Sequence, residues 1–334
     1  MAAILPCTAD ARAATQRADG PAVRAARYHR AVQTSKPESR APRGLLLERG
    51  ALTRALRDRT RRALACGALE PIRTDQEEID DAGVRFQVRI LADRDRKREA
   101  RSAQPAHGAG SNPFLPYDAA LFVADVSPTH LCLLNKYPAL ADHLLLVTRS
   151  FEEQTALLTP RDFDALWACT EEIDGFAFYN AGSLAGASQR HRHLQLVPAL
   201  VPAASGYAPI DVLLRDARFD ERIGQVEGLP FLHAFARLRA CAAQPPGVAA
   251  EILHALYLEM LRAFGCERGD PPYNLLLTRE WMLLVPRSRE AWESISVNAL
   301  GFAGALLVRD RAQLARLREL GPMQLLRRVG IARD

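Results

Sequence analysis

The chain of 334 residues has no stretch approaching the roughly 18 consecutive apolar residues that a membrane-spanning helix needs. The sequence therefore excludes a helical transmembrane protein. Its first residues also lack the basic segment, apolar run and small-residue cleavage site of a secretory signal peptide. From these absences we expect a cytoplasmic protein with no membrane partner.

Paired cysteines are missing as well. The six cysteines contain no C-x-x-C pair, and they are too sparse for a disulfide-stapled secreted domain. We predict that they are small buried hydrophobic residues rather than metal ligands. These residues are Cys7, Cys66, Cys132, Cys169, Cys241 and Cys266.

Lysine is scarce: only Lys36, Lys97 and Lys136 stand among 44 basic residues. A lysine ammonium is a compact point charge that suits a phosphate, so these lysines either mark a phosphate site or are present by chance. The net charge of +5 and pI near 9.0 come with many arginines in the first 62 residues. Such a balance suits polyanionic ligands in general and does not single out DNA.

Apolar patterning predicts an α+β protein with two lobes. Residues 1–43 show no sustained apolar period, and we expect a disordered extension there. We predict that residues 44–205 form one lobe and residues 206–334 a second. The expected helices cover residues 44–67, 159–173, 249–264 and 313–328. The expected strands cover residues 84–91, 131–136, 143–148 and 175–182 and the runs HRHLQLVP, YNLLLT and WMLLVP. A mobile loop is expected at residues 99–110.

One stretch carries chemistry, from Asn180 through a glycine-rich loop to the run His191-Arg-His193-Leu-Gln195. Alternate residues of a strand point to one face, so the two histidines and Gln195 would project together beside a loop that can approach a phosphate. A metal site needs at least one further ligand, and no nearby Cys, Asp or Glu supplies it. Nucleophilic attack by a neutral imidazole on phosphorus and a strand whose histidines face solvent both remain open.

The run GASQRHRHLQ resembles the histidine triad superfamily, in its nucleotidyltransferase branch, which ends the motif in Gln. The body from about residue 67 to 329 resembles the ATP adenylyltransferases, also called diadenosine tetraphosphate phosphorylases. The similar passages are LEPIRTDQEEIDDAGVRFQVRI, SNPFLPYD, LNKYP with HLLLVTR, PYNLLLTREWMLLVPRS and ISVNALGFAGALLV. The resemblance implies a histidine triad-like, two-lobed nucleotidyltransferase with an antiparallel sheet and packed helices, in which residues 44–205 are the catalytic lobe and residues 206–334 the C-terminal ATP adenylyltransferase lobe.

The resemblance also implies a reaction through a covalent adenylyl-histidine. His193 would attack the α-phosphorus of diadenosine tetraphosphate and expel ATP, and inorganic phosphate would then carry AMP away as ADP. Gln195 would hold the phosphoryl oxygens, and His191 would orient or support the nucleophile. The residues implied to bind substrate are Lys97, Asn135, Lys136, Asn180, Gly186, Ala187, Ser188 and Gln189, with Asn274 and Arg279 from the second lobe.

The partners so implied are diadenosine polyphosphates, ATP, ADP and inorganic phosphate. We expect Mg²⁺ or Mn²⁺ to arrive with the polyphosphate, no metal site in the protein, no organic cofactor, no nucleic acid and a monomer. Two related enzymes are alternatives: a sugar-1-phosphate nucleotidylyltransferase and a diadenosine polyphosphate hydrolase. A basic nucleic-acid-binding protein is the alternative outside enzymes. Whether tetraphosphate or triphosphate, adenine or guanine, or adenosine phosphosulfate is preferred stays open.

Overall fold

A computed structural model describes residues 44–92, 112–241, 243–266 and 272–333 of the chain. The helices of these ranges are α1 (Leu52–Ala65), α2 (Pro160–Glu172), α3 (Asp211–Leu214), α4 (Pro246–Ala263), α5 (Ala299–Phe302), α6 (Arg311–Leu320) and α7 (Pro322–Val329). The strands are β1 (Thr74–Asp81), β2 (Val84–Leu91), β3 (Phe122–Asp125), β4 (His130–Leu134), β5 (Leu144–Thr148), β6 (Gly175–Asn180), β7 (His193–Pro198), β8 (Arg218–Asp220), β9 (Ile223–Gln225), β10 (Ala234–Arg237), β11 (Tyr273–Leu277), β12 (Trp281–Pro286), β13 (Ala291–Trp292), β14 (Ile295–Ser296) and β15 (Ala305–Val308).

Ten strands form one antiparallel sheet in the order β3-β4-β5-β7-β6-β11-β12-β10-β9-β8. Strand β6 lies in residues 44–205 and β11 in residues 206–334, so the pairing of these two strands joins both segments in one sheet. A smaller sheet, β1-β2-β15, contains the parallel pair β2 and β15. The predicted α+β class with an antiparallel sheet and packed helices is confirmed.

Each face of the large sheet has its own cover. On one face, α1, α2 and α4 pack with side chains such as Leu194, Leu196 and Leu275 in a single apolar cluster. On the other face, β2, β15, α6 and α7 cover the half of the sheet around β6, β11 and β12. The burial of two apolar faces explains why the central strands consist of almost uninterrupted hydrophobic residues.

The second face contains a break between two apolar clusters. Phe178 of β6 belongs to the larger cluster, whereas Leu145 and Val147 of β5 belong to a small cluster with Phe114. Strand β7 runs between them, because Gln195 pairs with Leu145 on one side and Phe178 on the other. Side chains on this face of β7 therefore lie where neither cluster covers the sheet completely.

Most predicted elements are confirmed within a few residues, and two differ in ways that have local causes. The helix predicted from residue 44 begins only at Leu52, after Gly50 adopts a φ of 80° that a helix cannot contain. The helix predicted over 313–328 is wrong as a single element, because Gly321 (φ 85°) and Pro322 divide it into α6 and α7.

Some expectations have other outcomes. The acidic strand β1 was not predicted, since TDQEEIDD offers little apolar signal and forms by pairing with β2. Four of the five described cysteines are buried as predicted, and Cys66 is exposed. The 99–110 loop, the 1–43 extension and Cys7 lie outside the described residues. The two-lobe division remains a prediction.

No helix within the described ranges is long and apolar enough to cross a membrane.

Candidate active site

His193 is the first residue of β7 and is only 4% exposed. Its Nδ1 lies 2.8 Å from the carbonyl oxygen of His191, which can only accept, so Nδ1 carries the proton and Nε2 keeps its lone pair. Burial lowers the pKa of His193 to about 4, because the charged imidazolium is kept from water. At neutral pH the ring is therefore neutral, with a fixed tautomer and an available lone pair on Nε2.

Gln154 fixes the backbone at this point. Its Oε1 accepts from the His193 backbone N–H at 2.8 Å, and its Nε2 donates to the carbonyls of Asn180 (2.9 Å) and His193 (3.1 Å). The buried amide thus joins the start of β7 to the end of β6. Gln154 belongs to no motif that we recognised, and its long separation from His193 in the chain left no local signal.

His191 stands just before β7, where it forms an isolated bridge with Glu153, instead of within a strand as predicted. Its Nε2 donates to the Thr148 carbonyl at 2.8 Å, and its Nδ1 accepts from the Asn112 amide at 2.8 Å. The ring of Phe114 lies against both histidines, with ring centroids 5.6 Å from His191 and 5.3 Å from His193. His191 therefore supports His193 through its carbonyl and a shared aromatic neighbour.

Gln195 is half-buried and its amide orientation is determined by a chain of hydrogen bonds. Asn135 Nδ2 lies 3.2 Å from His143 Nδ1 and donates to it, so His143 Nε2 holds the proton and donates to Gln195 Oε1 at 2.8 Å. Burial lowers the pKa of His143 to about 4, which keeps this ring neutral. The amide nitrogen of Gln195 is consequently directed away from the His143 ring.

A cluster of charged side chains holds the start of β7 on the side opposite His193. Arg192, on the opposite side of the strand from His193, bonds Asp162 Oδ2 at 3.1 Å and also pairs with Glu152. Asp162 accepts from His130 Nε2 at 3.0 Å and caps the start of α2 with Thr159. Because Arg192 and Asp162 are nearly fully buried, loss of one would weaken the fold and leave the other with fewer partners, Glu152 for Arg192 and His130 for Asp162.

The glycine-rich segment 182–189, here called the phosphate loop, precedes His191. Gly186 has a φ of 90°, and a Cβ there would lie 2.8 Å from Asn298 Cβ, so both its conformation and its packing require glycine. The N–H groups of Gly186 and Ala187 bond within the loop. Those of Ser188 and Gln189 donate to no atom of the described residues, and they remain able to bind an anion.

Asn180 and Asn274 form a buried pair beneath the phosphate loop. Asn274 Nδ2 donates to Asn180 Oδ1 and to the Ala185 carbonyl, each at 2.8 Å, and the Ala299 backbone N–H also donates to Asn180 Oδ1. Asn180 Oδ1 is thus engaged by protein donors. Asn274 supports the loop from below, with its amide nitrogen committed to protein oxygens.

The remaining predicted residues lie in different places. Lys136 follows Asn135, and its ammonium stands 5.6 Å from the centre of the Tyr137 ring. Arg279 pairs with Asp174 at 2.6 Å, beyond the far ends of β11 and β6, so the structure does not bring it to His193. The role of Arg279 in closing the site stays a prediction that its position here does not favour. Lys97 lies outside the described residues. No group of three or more His, Cys, Asp or Glu residues suited to a metal converges within the described ranges.

Comparisons with known proteins agree with this geometry. The sequence model of the Ap4A phosphorylase N-terminal domain matches residues 42–216, and that of the ATP adenylyltransferase C-terminal domain matches residues 227–332. The chain is similar to diadenosine 5',5'''-P1,P4-tetraphosphate phosphorylase 2 of Saccharomyces cerevisiae, at 28% identity over 216 residues. That alignment covers 56% of this chain and 64% of the yeast protein, slightly less than two thirds of its length.

The fold resembles solved structures as well. The crystal structure of yeast Ap4A phosphorylase in complex with Ap4A is similar with a TM-score of 0.68 and 24% identity, and covers 85% of this chain and 98% of that one. Its complex with AMP gives the same TM-score, identity and coverage. At this identity the likeness establishes the common fold.

Proposed function

This chain belongs to the Ap4A phosphorylase N-terminal domain family, and on that premise we propose that it moves AMP from diadenosine tetraphosphate (Ap4A) to inorganic phosphate. The observation that carries the proposal is the state of His193. A buried imidazole with Nδ1 committed to a carbonyl and a pKa of about 4 presents an unprotonated Nε2 at neutral pH. Such a nucleophile needs no base to activate it.

In the first step, Nε2 of His193 forms a bond to the α-phosphorus of Ap4A. The bond between that phosphorus and its bridging oxygen breaks, and ATP leaves. Negative charge develops on the phosphoryl oxygens, where the N–H groups of Gln195 and the free N–H groups of Ser188 and Gln189 can donate hydrogen bonds. Nδ1 of His193 keeps its proton throughout, and the His191 carbonyl stabilises the positive charge on the adenylylated ring.

In the second step, an oxygen of inorganic phosphate attacks the same phosphorus and the bond to Nε2 breaks. AMP leaves His193 as ADP, and the imidazole returns to its starting state. Mg²⁺ or Mn²⁺ enters with the polyphosphate as part of the substrate, and Lys136 and Lys97 contribute positive charge toward its phosphates. The proposed enzyme acts as a monomer in the cytoplasm, with ATP, ADP and phosphate as its further ligands and no nucleic-acid partner.

The test is product analysis of purified protein incubated with Ap4A and Mg²⁺, with and without phosphate. The proposal expects ATP and ADP in equal amounts, formed only when phosphate is present. ATP with AMP in the absence of phosphate would identify a hydrolase. No consumption of Ap4A would contradict the proposal and direct the work to sugar-1-phosphate nucleotidyl transfer.

A nucleophile variant makes the covalent step visible. His193→Ala should lose turnover by at least about 10³-fold, since the attacking atom is gone, while the melting temperature changes little. Wild-type protein treated with Ap4A in the absence of phosphate should gain the mass of one adenylyl group, and His193→Ala should gain none. Retained phosphorolysis in the variant would contradict the covalent mechanism.

A further inference from the structure

Arg287 directly follows β12 and is only 1% exposed, yet it forms no salt bridge within the described part of the chain. Its guanidinium donates to oxygens that carry no formal charge, and Glu290, whose carboxylate bonds the Ser296 hydroxyl, acts on it only at longer range. Burial lowers the pKa of Arg287 to about 10, so the group stays charged at neutral pH. A buried cation without a direct counter-charge is uncommon and calls for an explanation.

The hydrogen bonds of Arg287 point in two directions. Toward the site, Nη1 donates to Asn274 Oδ1 at 2.6 Å and to the Ala185 carbonyl at 3.4 Å. Toward the end of the chain, Nε donates to the Val329 carbonyl at the end of α7, and Nη2 donates to the carbonyls of residues 289, 290 and 297. The planar guanidinium of Arg287 thus connects the C-terminal segments to the underside of the phosphate loop.

The contact with Asn274 determines how that amide is oriented. Arginine can only donate, so it requires the amide oxygen of Asn274 and turns both N–H groups away. Those two N–H groups are the ones that hold the Ala185 carbonyl and Asn180 Oδ1. Asn180 lies beside His193, because Gln154 bridges their two carbonyls. A continuous set of hydrogen bonds therefore leads from Arg287 to the loop and to the nucleophile.

We infer that Arg287 is a positioning residue that fixes the phosphate loop relative to His193 through Asn274. The inference deepens the proposed function and rests on it for its kinetic consequence. Without the guanidinium of Arg287, Asn274 loses the partner that orients it, and the Ala185 carbonyl loses one of its two donors. The loop, whose glycines have positive φ values, then explores other conformations, and its N–H groups meet the substrate phosphates less often.

The main experiment compares Arg287→Lys and Arg287→Gln with wild type and with Arg222→Gln, a control arginine that pairs with Glu259 near the β8–β9 edge of the sheet. Rates are expressed per active site, counted as the adenylylated fraction formed from Ap4A without phosphate, so that misfolded protein does not contribute. Lysine keeps the charge, but a single ammonium cannot hold the C-terminal carbonyls and also reach Asn274 and the Ala185 carbonyl. Because the loop N–H groups are proposed to bind oxygens on which charge develops, the two lost hydrogen bonds predict a loss of about tenfold in kcat/KM for Ap4A in both Arg287 variants, with the control unchanged.

Asn274→Asp separates loop positioning from stability. A carboxylate still accepts from Arg287, and more strongly, but it has no N–H for the Ala185 carbonyl. We expect a loss of kcat/KM like that of Arg287→Lys, with a melting temperature closer to wild type than that of Arg287→Gln. Hydrogen exchange of the peptide covering residues 182–190 should be faster in Arg287→Lys and Asn274→Asp, while the peptide covering α4 is unchanged.

Wild-type kcat/KM per active site and wild-type exchange of the loop peptide in Arg287→Lys and Asn274→Asp would overturn the inference. A lowered melting temperature with unchanged kcat/KM and unchanged loop exchange would overturn it too, since Arg287 would then only stabilise the fold. If the wild-type protein leaves Ap4A intact, the proposed function fails, and the exchange measurement still decides whether Arg287 positions the loop.

Discussion

Removal of His143 should slow adenylylation without touching either the nucleophile or the substrate. The His143 ring donates to Gln195 Oε1 at 2.8 Å and is itself held by Asn135. In His143→Leu the amide of Gln195 is free to turn, and its oxygen can face the phosphoryl oxygens instead of its N–H groups. Developing negative charge then meets a repulsive acceptor for part of the time.

Two limits set the size of the effect. A neutral hydrogen bond contributes about 1–1.5 kcal/mol net, which corresponds to roughly tenfold in rate. Complete loss of a preorganised donor at a developing oxyanion costs about 2.7–4 kcal/mol, or roughly 10²–10³-fold. Since His143→Leu leaves Gln195 in place but unoriented, we expect about a tenfold loss, and Gln195→Ala should lie near the larger limit.

The assay is single-turnover formation of the adenylylated protein from Ap4A without phosphate. His143→Gln is the matched control, because its amide nitrogen can donate to Gln195 from a position similar to that of Nε2, and it should stay within about threefold of wild type. Equal rates for wild type and His143→Leu would refute the argument that a directed Gln195 amide stabilises the reaction. So would equal losses in the Leu and Gln variants.

Further outcomes are expected. Burial lowers the pKa of His143, His193 and His233 to about 4, so the unfolded chain binds more protons than the folded one between about pH 6.5 and 4, and stability falls as pH falls through that window. Each of these histidines contributes about 2 kcal/mol of this loss between pH 7 and 5, and urea titrations should show His233→Gln losing about 2 kcal/mol less than wild type. Lys136→Ala and Lys97→Ala should raise KM for Ap4A severalfold with little change in kcat; unchanged kinetics in both would mean that neither lysine contacts phosphate. Deletion of residues 1–43 should alter neither activity nor melting temperature, and a clear loss of either would show that this segment docks on the rest of the protein.

The sequence predicted the strands of the site because local signals were strong. Uninterrupted apolar runs marked β4, β5 and β6, and alternation placed His193 and Gln195 on one face. The glycine-rich loop was recognisable because its residues follow neither the apolar period of a helix nor that of a strand. These features depend on residues close together in the chain, so they can be predicted from the sequence alone.

The supporting residues could not be predicted in the same way. Gln154, His143 and Arg287 act on groups that lie 13 to 52 positions away in the chain, and each is an ordinary residue in its own segment. Only the pairing of strands brings them to their partners. The break between α6 and α7 had a local signal in Gly321-Pro322, which the regular spacing of leucines on both sides concealed.

The two family matches end and begin between residues 216 and 227. A cut there would place the paired strands β6 and β11 in different fragments. Separated there, the fragments would expose the bare edges of β6 and β11, which carry unpaired backbone groups between apolar side chains such as Phe178 and Leu276, and the pairing of β2 with β15 would be lost as well. Edges of this kind recruit other chains and promote aggregation. Fragments produced separately should precipitate, whereas fragments produced together should reassociate by closing that seam, and a circular permutant that keeps β6 and β11 adjacent should remain dispersed.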